Sequence, residues 1–258
     1  MKVKLLEKLF LPLLTLAVII PFWSYIASNV EGFPSPIDTF SHAVEILSDP
    51  LYVNSEDDKG IFWQILNSLE RVFGGFIAAC IVGIPVGLAI GMSSKFYDAL
   101  NPYIQIFKPV SPLAWLPLAL FVFKDINITA IATIFITSIW PIIINTALGV
   151  KSVNNDYLNV AKVLQFSPIE KITKIILPVA VPYIFTGMRL SLGIAWLVIV
   201  AAEMLTGGIG IGFWIWDEYN NLNYTSILVG IFLVGIVGFI LDILMGLIAN
   251  RFDYRVRS

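Results

Sequence analysis

The sequence contains few charged residues and few of the side chains that catalyse reactions. Only 13% of its 258 residues are charged, against 58% hydrophobic, and it has one histidine and one cysteine. The lone Cys80 excludes an intramolecular disulfide bond and a cysteine metal cluster. One histidine argues against an intramembrane enzyme, which would need paired acids, a histidine cluster or a nucleophile with its base at a common depth. A composition this apolar lies outside the range of soluble domains and indicates a polytopic membrane protein.

A nucleotide-binding loop is also missing. The glycine-rich stretch at residues 206–212 is not followed by a lysine with a serine or threonine, and it follows a hydrophobic run rather than a strand. The net charge of −2 gives no reason to expect a nucleic-acid partner. The chain is therefore predicted to be no enzyme and to bind no cofactor or metal itself, so any energy source must lie on another subunit.

Hydrophobic segments long enough to cross a bilayer core of ~30 Å recur along the chain. They predict an all-α membrane protein with about six transmembrane helices: Leu9–Ile26, Leu66–Met92, Tyr97–Phe123, residues 128–150, Val181–Leu205 and Ile227–Ala249. The basic start is also typical of a signal peptide, but no clean cleavage site follows, so we interpret the first segment as a retained helix. We expect two parts, a first helix with an acidic external loop (1–62) and a five-helix core (63–258).

Two of these segments carry a further signal. In the second, Gly83, Gly87 and Gly91 recur at four-residue intervals, which predicts close approach of another helix. The third contains Pro102, Pro109, Pro112 and Pro117, with Lys108 among them, and is predicted to be broken. Irregular backbone at membrane depth is tolerated where it lines a cavity. The stretch 101–115 is therefore either a cavity wall or a loop followed by a shorter helix.

The loop 28–60 is acidic and contains a predicted surface helix over Pro36–Leu47, where the single histidine, His42, is interpreted as a surface residue. A second polar stretch, 151–178, is amphipathic. Tyr157, Val160, Ala161 and Leu164 recur at helical spacing and predict one apolar face. After a corner, Ser167, Pro168 and Glu170 match a capping box and predict a second short helix, closed at Pro178.

The second polar stretch resembles the cytoplasmic Glu-Ala-Ala signature of binding-protein-dependent ABC-transporter permeases. In that signature a glycine follows after three residues and an Ile-x-Leu-Pro after nine more. The matching positions here are Asn159, Val160 and Ala161, then Gln165, then Ile175, Leu177 and Pro178. The spacing holds, but the glutamate, one alanine and the glycine are replaced. A left-handed turn that glycine would tolerate is expected to cost energy at Gln165.

The sequence after this segment, LPVAVPYIFTGMRLSLGIAWLVIVAAEML, resembles the nitrate/sulfonate/taurine branch of the family, and within it the nitrate and bicarbonate permeases of cyanobacteria. The resemblance extends from about Leu69 to Tyr254. It implies a half-transporter in a bacterial inner membrane that pairs with a second copy of the chain, two ABC ATPase subunits carrying ATP and Mg, and an external solute-binding protein.

Charge gives an orientation without reference to the family. With a cytoplasmic N-terminus and six spans, eleven basic residues fall inside and two outside, which is a clear positive-inside distribution. The inside residues are Lys2, Lys4, Lys8, Lys95, Lys151, Lys162, Lys171, Lys174, Arg251, Arg255 and Arg257; those outside are Lys59 and Lys124. Both termini and the segment 151–178 are therefore expected in the cytoplasm.

The resemblance makes this segment a coupling helix that docks on the ATPase; the alternative is an amphipathic helix that only lies on the membrane surface. The residues expected at the docking surface are Asp156, Tyr157, Asn159, Val160, Ala161, Lys162, Leu164, Gln165, Ser167 and Pro168. The outer surfaces left for a binding protein are the acidic loop 28–60 and residues 217–223.

Charged residues at membrane depth are candidates for a translocation pathway. We expect Arg189 to attract an anion from the inner side, and Glu203 to act as an outer gate or as a tie between helices. Asp242 is interpreted as a packing contact, and both acids should be hydrogen-bonded away from an anionic substrate. Lys108 and Trp196 complete the pathway candidates.

The sequence therefore favours the permease subunit of an ATP-driven importer of a small oxyanion, nitrate or nitrite first, with bicarbonate, cyanate and alkylsulfonate or taurine as alternatives. An ion-driven secondary transporter is a remote alternative, because such proteins usually show an inverted repeat and none is evident among the spans.

Overall fold

The computed structural model describes residues 2–55 and 58–252, with side chains from Phe10 onward. It is helical, with no strand among the described residues. The elements are α1 Lys2–Asn29, α2 Pro36–Ser48, α3 Ile61–Met92, α4 Ser94–Phe107, α5 Pro112–Phe123, α6 Ile126–Lys151, α7 Asn155–Val163, α8 Pro168–Lys171, a π-helical turn Ile172–Ile176, α9 Leu177–Thr206, α10 Ile211–Asn220 and α11 Tyr224–Phe252. The all-α fold class is confirmed.

By length and composition, five helices of the described chain could cross a membrane, or six if α4 and α5 form one span. These two helices meet at 96° across residues 108–111. Prolines remove backbone donors and clash with the preceding turn, so the predicted break in the third segment is confirmed.

The core is built from α3, α6 and α9, with α10 and α11 packed against them. Glycines on α3 allow α6 to approach closely: a Cβ added at Gly87 would lie 2.6 Å from the Thr146 Cβ, and one at Gly91 would lie 2.4 Å from the Val150 Cβ. The predicted close approach of a second helix is confirmed, and α6 is that helix.

The predicted surface helix over residues 36–47 is α2, and its Ser35–Asp38 capping box is present. His42 lies on the side facing α11, and its Nε2 is 2.8 Å from the Ser226 Oγ. The packing of α2 against α11 leaves His42 partly buried, not free at the surface as predicted. The Ser226 hydroxyl gives its ring a polar partner there.

One local prediction is wrong. Pro178 does not close the second short helix; α8 continues through the π turn into α9 as one helix, Pro168–Thr206. The Leu177 N–H donates to the Ile172 carbonyl five residues back, which widens the turn just before the proline. A proline can be accommodated at such a bulge. The predictions that rest on Glu56, Asp57, Arg255 and Arg257 fall outside the described residues.

Candidate functional site

At one end of the bundle, α7 presents an uncovered apolar surface, which we call the α7 face: Tyr157, Val160, Val163 and Leu164. Each of these side chains is more than half exposed, whereas Ala161 is buried against the chain. The helix starts because the Asn154 Oδ1 accepts the Asp156 N–H at 2.9 Å. Three of the four residues predicted to form one apolar face are thus available to a partner.

The corner after α7 is fixed by local contacts. Gln165 adopts φ = 53°, in the left-handed region predicted for the position where the family has glycine. The Phe166 N–H donates to the Ala161 carbonyl at 2.9 Å, which closes the turn. The Ser167 side chain accepts the Glu170 N–H and the Glu170 carboxylate accepts the Ser167 N–H, so the predicted capping box is confirmed.

The α7 face is joined firmly to the helices of the core. Only residues 152–154 separate α7 from α6, and the corner leads without interruption into α9. The Lys174 Nζ donates to the Glu170 carboxylate at 2.8 Å and lies over the Phe166 ring, so the corner is braced from the α9 side. Short, hydrogen-bonded segments therefore connect α7 to both α6 and α9. The remaining predicted docking residues are exposed at this surface: Asp156, Asn159, Lys162, Gln165, Ser167 and Pro168.

At the opposite end, Glu203 of α9 is fully buried and forms an ion pair with Arg71 of α3, Oε1 to Nη1 at 2.7 Å. Its other oxygen accepts the Ser68 hydroxyl at 2.8 Å and the Gly212 N–H at 3.0 Å. Of the two roles left open for Glu203, an outer gate or a tie between helices, these contacts are those of a tie.

The same network anchors the loop that leads into α10. The Arg71 Nη1 also donates to the Ile209 carbonyl at 2.7 Å, and the Gln64 side chain accepts the Gly210 N–H at 2.7 Å. A Cβ at Gly210 would lie 2.3 Å from the carboxyl carbon of Glu203, so the loop can pass this close only as glycine. We call the set Gln64, Ser68, Arg71 and Glu203 the α10 anchor.

Sequence reasoning missed the α3 side of the α10 anchor. Gln64, Ser68 and Arg71 follow one another by four and three residues, so they form a polar stripe on one face of an otherwise apolar helix. This polar stripe could have predicted that α3 makes a buried polar contact. It could not predict the partner of that contact, because the spacing defines a face of α3 and not the helix that packs against it.

Arg189 of α9 is paired with Asp242 of α11. Its Nε donates to one carboxylate oxygen at 2.6 Å and its Nη2 to the other, and both side chains are about half exposed. Both acids, Glu203 and Asp242, are hydrogen-bonded, but the partner of Asp242 is Arg189, the residue expected to attract the anion, so the prediction that both acids are held away from the substrate stays a prediction. Arg189 is thus a partly accessible cation whose charge is balanced by a neighbour.

Trp196 lies inside the core, 3% exposed, and its Nε1 donates to the Val234 carbonyl of α11 at 2.9 Å. Lys108 lies at the break between α4 and α5, where it lines two cavities of about 280 and 220 Å³. The four pathway candidates are therefore not brought together: Arg189 and Trp196 lie between α9 and α11, Glu203 at the α10 end, and Lys108 beside α6. No cluster of three metal-binding side chains occurs among residues 2–55 and 58–252.

The end of the bundle that carries α10 also carries the acidic loop. There, burial and the neighbouring Asp58 raise the pKa of the Tyr52 phenol above its ordinary value. The loop is closed onto α3 by the Trp63 Nε1, which donates to the Leu51 carbonyl at 3.1 Å. This end therefore presents a folded, acidic surface.

Residues 83–257 match the profile of the family described as binding-protein-dependent transport system inner membrane component. The chain is 47% identical to the nitrate import permease protein NrtB of Leptolyngbya laminosa over 91% of its length and 84% of that protein. It is 41% identical to the bicarbonate transport system permease protein CmpB of Synechococcus elongatus over 92% of its length and 87% of that protein.

Among solved structures, the chain resembles a subunit of the MetNI methionine ABC transporter in an inward-facing conformation. The TM-score is 0.64 at 16% identity, over 75% of this chain and 96% of that one. At this identity the likeness shows a common fold.

Proposed function

The chain belongs to the family of binding-protein-dependent transport system inner membrane components, and from this we propose that it is the permease subunit of an ATP-driven importer whose substrate is nitrate or nitrite. The observation that supports nitrate as the substrate is the 47% identity to a nitrate import permease over nine-tenths of the chain. Bicarbonate is the second candidate, supported by the 41% identity to a bicarbonate permease.

Energy would come from two ATPase subunits, which bind ATP and Mg and dock on the α7 face. The support is physical: this face exposes Tyr157, Val160 and Leu164 with nothing in the described chain to cover them. An apolar helix face laid into a groove is a common mode of recognition. The relatives are transport permeases, in keeping with a chain that is not itself an enzyme.

We infer that the α7 end faces the cytoplasm and the α10 end faces outward, in a bacterial inner membrane with both termini inside. Lysines support this orientation: Lys95, Lys151, Lys162, Lys171 and Lys174 lie at the α7 end, and Lys59 and Lys124 at the other. The acidic loop would then face the solute-binding protein. In this scheme residues 1–62 are peripheral and residues 63–258 form the transporting core with its coupling segment 151–178.

A second copy would complete the pathway, since one chain encloses little by itself. Closure of the ATPases would move α7, and the braced corner would pass this movement to α9. Because Glu203 ties α9 to α3 and to the loop before α10, a movement of α9 at the inner end would also move α3 and this loop at the outer end. Lys108 would supply positive charge for an anion, and Arg189 would do so only when its pair with Asp242 opens, while Trp196 and Glu203 would hold the helices between which the anion passes.

Uptake by cells tests the substrate. A strain lacking the chain should lose nitrate uptake at limiting nitrate, and the wild-type chain should restore it. Loss of bicarbonate uptake with nitrate uptake unchanged would identify bicarbonate, and not nitrate, as the substrate. Unchanged uptake of both anions would refute both.

A matched pair of variants tests the docking surface. Val160→Asp places a charge on the α7 face, whereas Asn155→Asp places the same charge in the first turn of α7, away from that face. We expect V160D to lose co-purifying ATPase and its ATP hydrolysis at least tenfold, since burying an unpaired charge costs several kcal/mol, and N155D to keep both. Equal retention by V160D would contradict docking at this face.

A further inference from the structure

Two cavities run one after the other along α6, under the bent pair α4 and α5. The first lies beside Trp115 and Trp140 and is mostly apolar. The second continues towards the end of α6 at Lys151. Lys108, at the break between α4 and α5, lines both and marks where they meet. We call the second one the inner cavity.

One face of α4 gives the inner cavity its polar wall. Tyr97, Asn101, Gln105 and Lys108 follow at intervals of four, four and three residues, so they lie in one row along the helix. All four line the cavity, and Lys151 of α6 closes its end. The floor is apolar, made by Ile90, Ile104 and Ile143. Tyr97, Gln105, Lys108 and Lys151 are exposed and Asn101 is partly buried, so the cavity is open and its polar wall is accessible to a polar occupant or water.

The charges in this wall are positive and uncompensated. The Lys151 Nζ lies 3.7 Å from the Tyr97 ring centroid, which holds the ammonium in place without neutralising it. Lys108 forms no hydrogen bond or ion pair with any described residue, and no described aspartate or glutamate lines the inner cavity. The side-chain amides add N–H donors. The Gln105 Nε2 donates one N–H to the Asn101 Oδ1 over a long 3.4 Å, which leaves its second N–H free.

We propose that the inner cavity is a binding site for a small oxyanion at the cytoplasmic mouth of the pathway, held by Lys108, Lys151 and the amides of Asn101 and Gln105. This rests on the proposed function, because the transported anion is the ligand. A volume of about 220 Å³ holds a small oxyanion with water, since one water needs only ~10–15 Å³. The phosphate of an anionic lipid has the same recognition chemistry, and basic pockets between membrane helices on the cytoplasmic side are known to bind such headgroups.

Protection of the two lysines from acetylation tests the site directly. The full chain, with the subunits that co-purify, is placed in nanodiscs of phosphatidylcholine and treated with an acetylating ester in sodium nitrate or in sodium gluconate of equal ionic strength. Mass spectrometry then follows Lys108 and Lys151, with the exposed Lys124 at the α10 end as internal control. We expect nitrate at about four times its dissociation constant, which gives four-fifths occupancy, to slow acetylation of both cavity lysines about fivefold and to leave Lys124 unchanged.

A variant of the amide wall sharpens the test. Gln105→Leu removes a donor, and the nitrate concentration needed for protection should rise about tenfold, whereas Tyr103→Phe, on the opposite side of α4, should leave it unchanged. Wild-type protection is decisive by itself if the variant does not fold.

The outcomes separate the site from the proposed function. Protection by bicarbonate and not by nitrate supports the site and changes the cargo. Absence of protection by either anion, in a chain that restores nitrate uptake, overturns the site and leaves the function standing. Protection only when the nanodiscs contain phosphatidylglycerol identifies a lipid headgroup site and overturns a place on the pathway.

Discussion

Removing the charge of Glu203 should destabilise the protein severely. In Glu203→Gln the side chain keeps its size, but it can no longer accept every hydrogen bond that the carboxylate accepts. One oxygen takes the Arg71 Nη1, and the other takes the Ser68 hydroxyl and the Gly212 N–H. An amide presents N–H groups on one of these two sides, so at least one donor faces another donor in either orientation.

The magnitude follows from burial. Glu203 is 0% exposed and Arg71 is 6% exposed, so the guanidinium would be left without its counter-charge and away from water. Breaking a buried pair by removing one partner costs about 3–5 kcal/mol. With a change of about 2–4 °C per kcal/mol for a chain of this size, the melting temperature should fall by about 6–20 °C.

The single cysteine provides the assay. Cys80 lies on α3, packed against the core, so a thiol-reactive fluorogenic dye labels it as the helices separate on heating. The control is Glu70→Gln, which removes the exposed carboxylate next to Arg71 and should shift the midpoint by less than about 2 °C, as surface substitutions usually do. A midpoint of E203Q within the same 2 °C would refute the idea that this pair stabilises the fold.

Three other substitutions test contacts elsewhere in the chain. Gly87→Ala should cost about 1–3 kcal/mol of stability by overpacking against α6, measured with the same dye, while Gly235→Ala, which meets nothing within 4 Å, should not; equal midpoints would contradict the close approach. Gln165→Gly should raise the midpoint slightly. The left-handed backbone costs a non-glycine residue about 1–2 kcal/mol, and glycine offsets about 0.5–1 kcal/mol of that gain because it loses more conformational entropy on folding. A lower midpoint would show that the glutamine side chain stabilises the corner. Trp196→Phe removes the indole N–H that joins α9 to the Val234 carbonyl of α11 and should cost about 0.5–1.5 kcal/mol, because that carbonyl keeps its own helical donor; at the exposed Trp216 the same change should have little effect, and matching losses would argue against the hydrogen bond.

The features that sequence reasoning predicted well are local ones. The corner after α7 depends on Gln165, Ser167 and Glu170, which lie within six residues, so backbone preferences and capping decide it before any distant contact forms. The break after Phe107 depends on nearby prolines in the same way. The Pro178 boundary was wrong because a π turn, which the apolar pattern does not reveal, carried the helix through the proline.

The sequence by itself determined the membrane class, most of the helices, the corner and the family, since each of these depends on composition, periodicity or residues close in the chain. Only the tertiary structure decided which groups meet. Arg71 and Glu203 are 132 residues apart, and Lys108 and Lys151 belong to different helices that share one cavity. A helical pattern specifies which face of a helix is polar, but the partner of that face depends on how the helices are rotated and packed against one another, which is a property of the whole bundle.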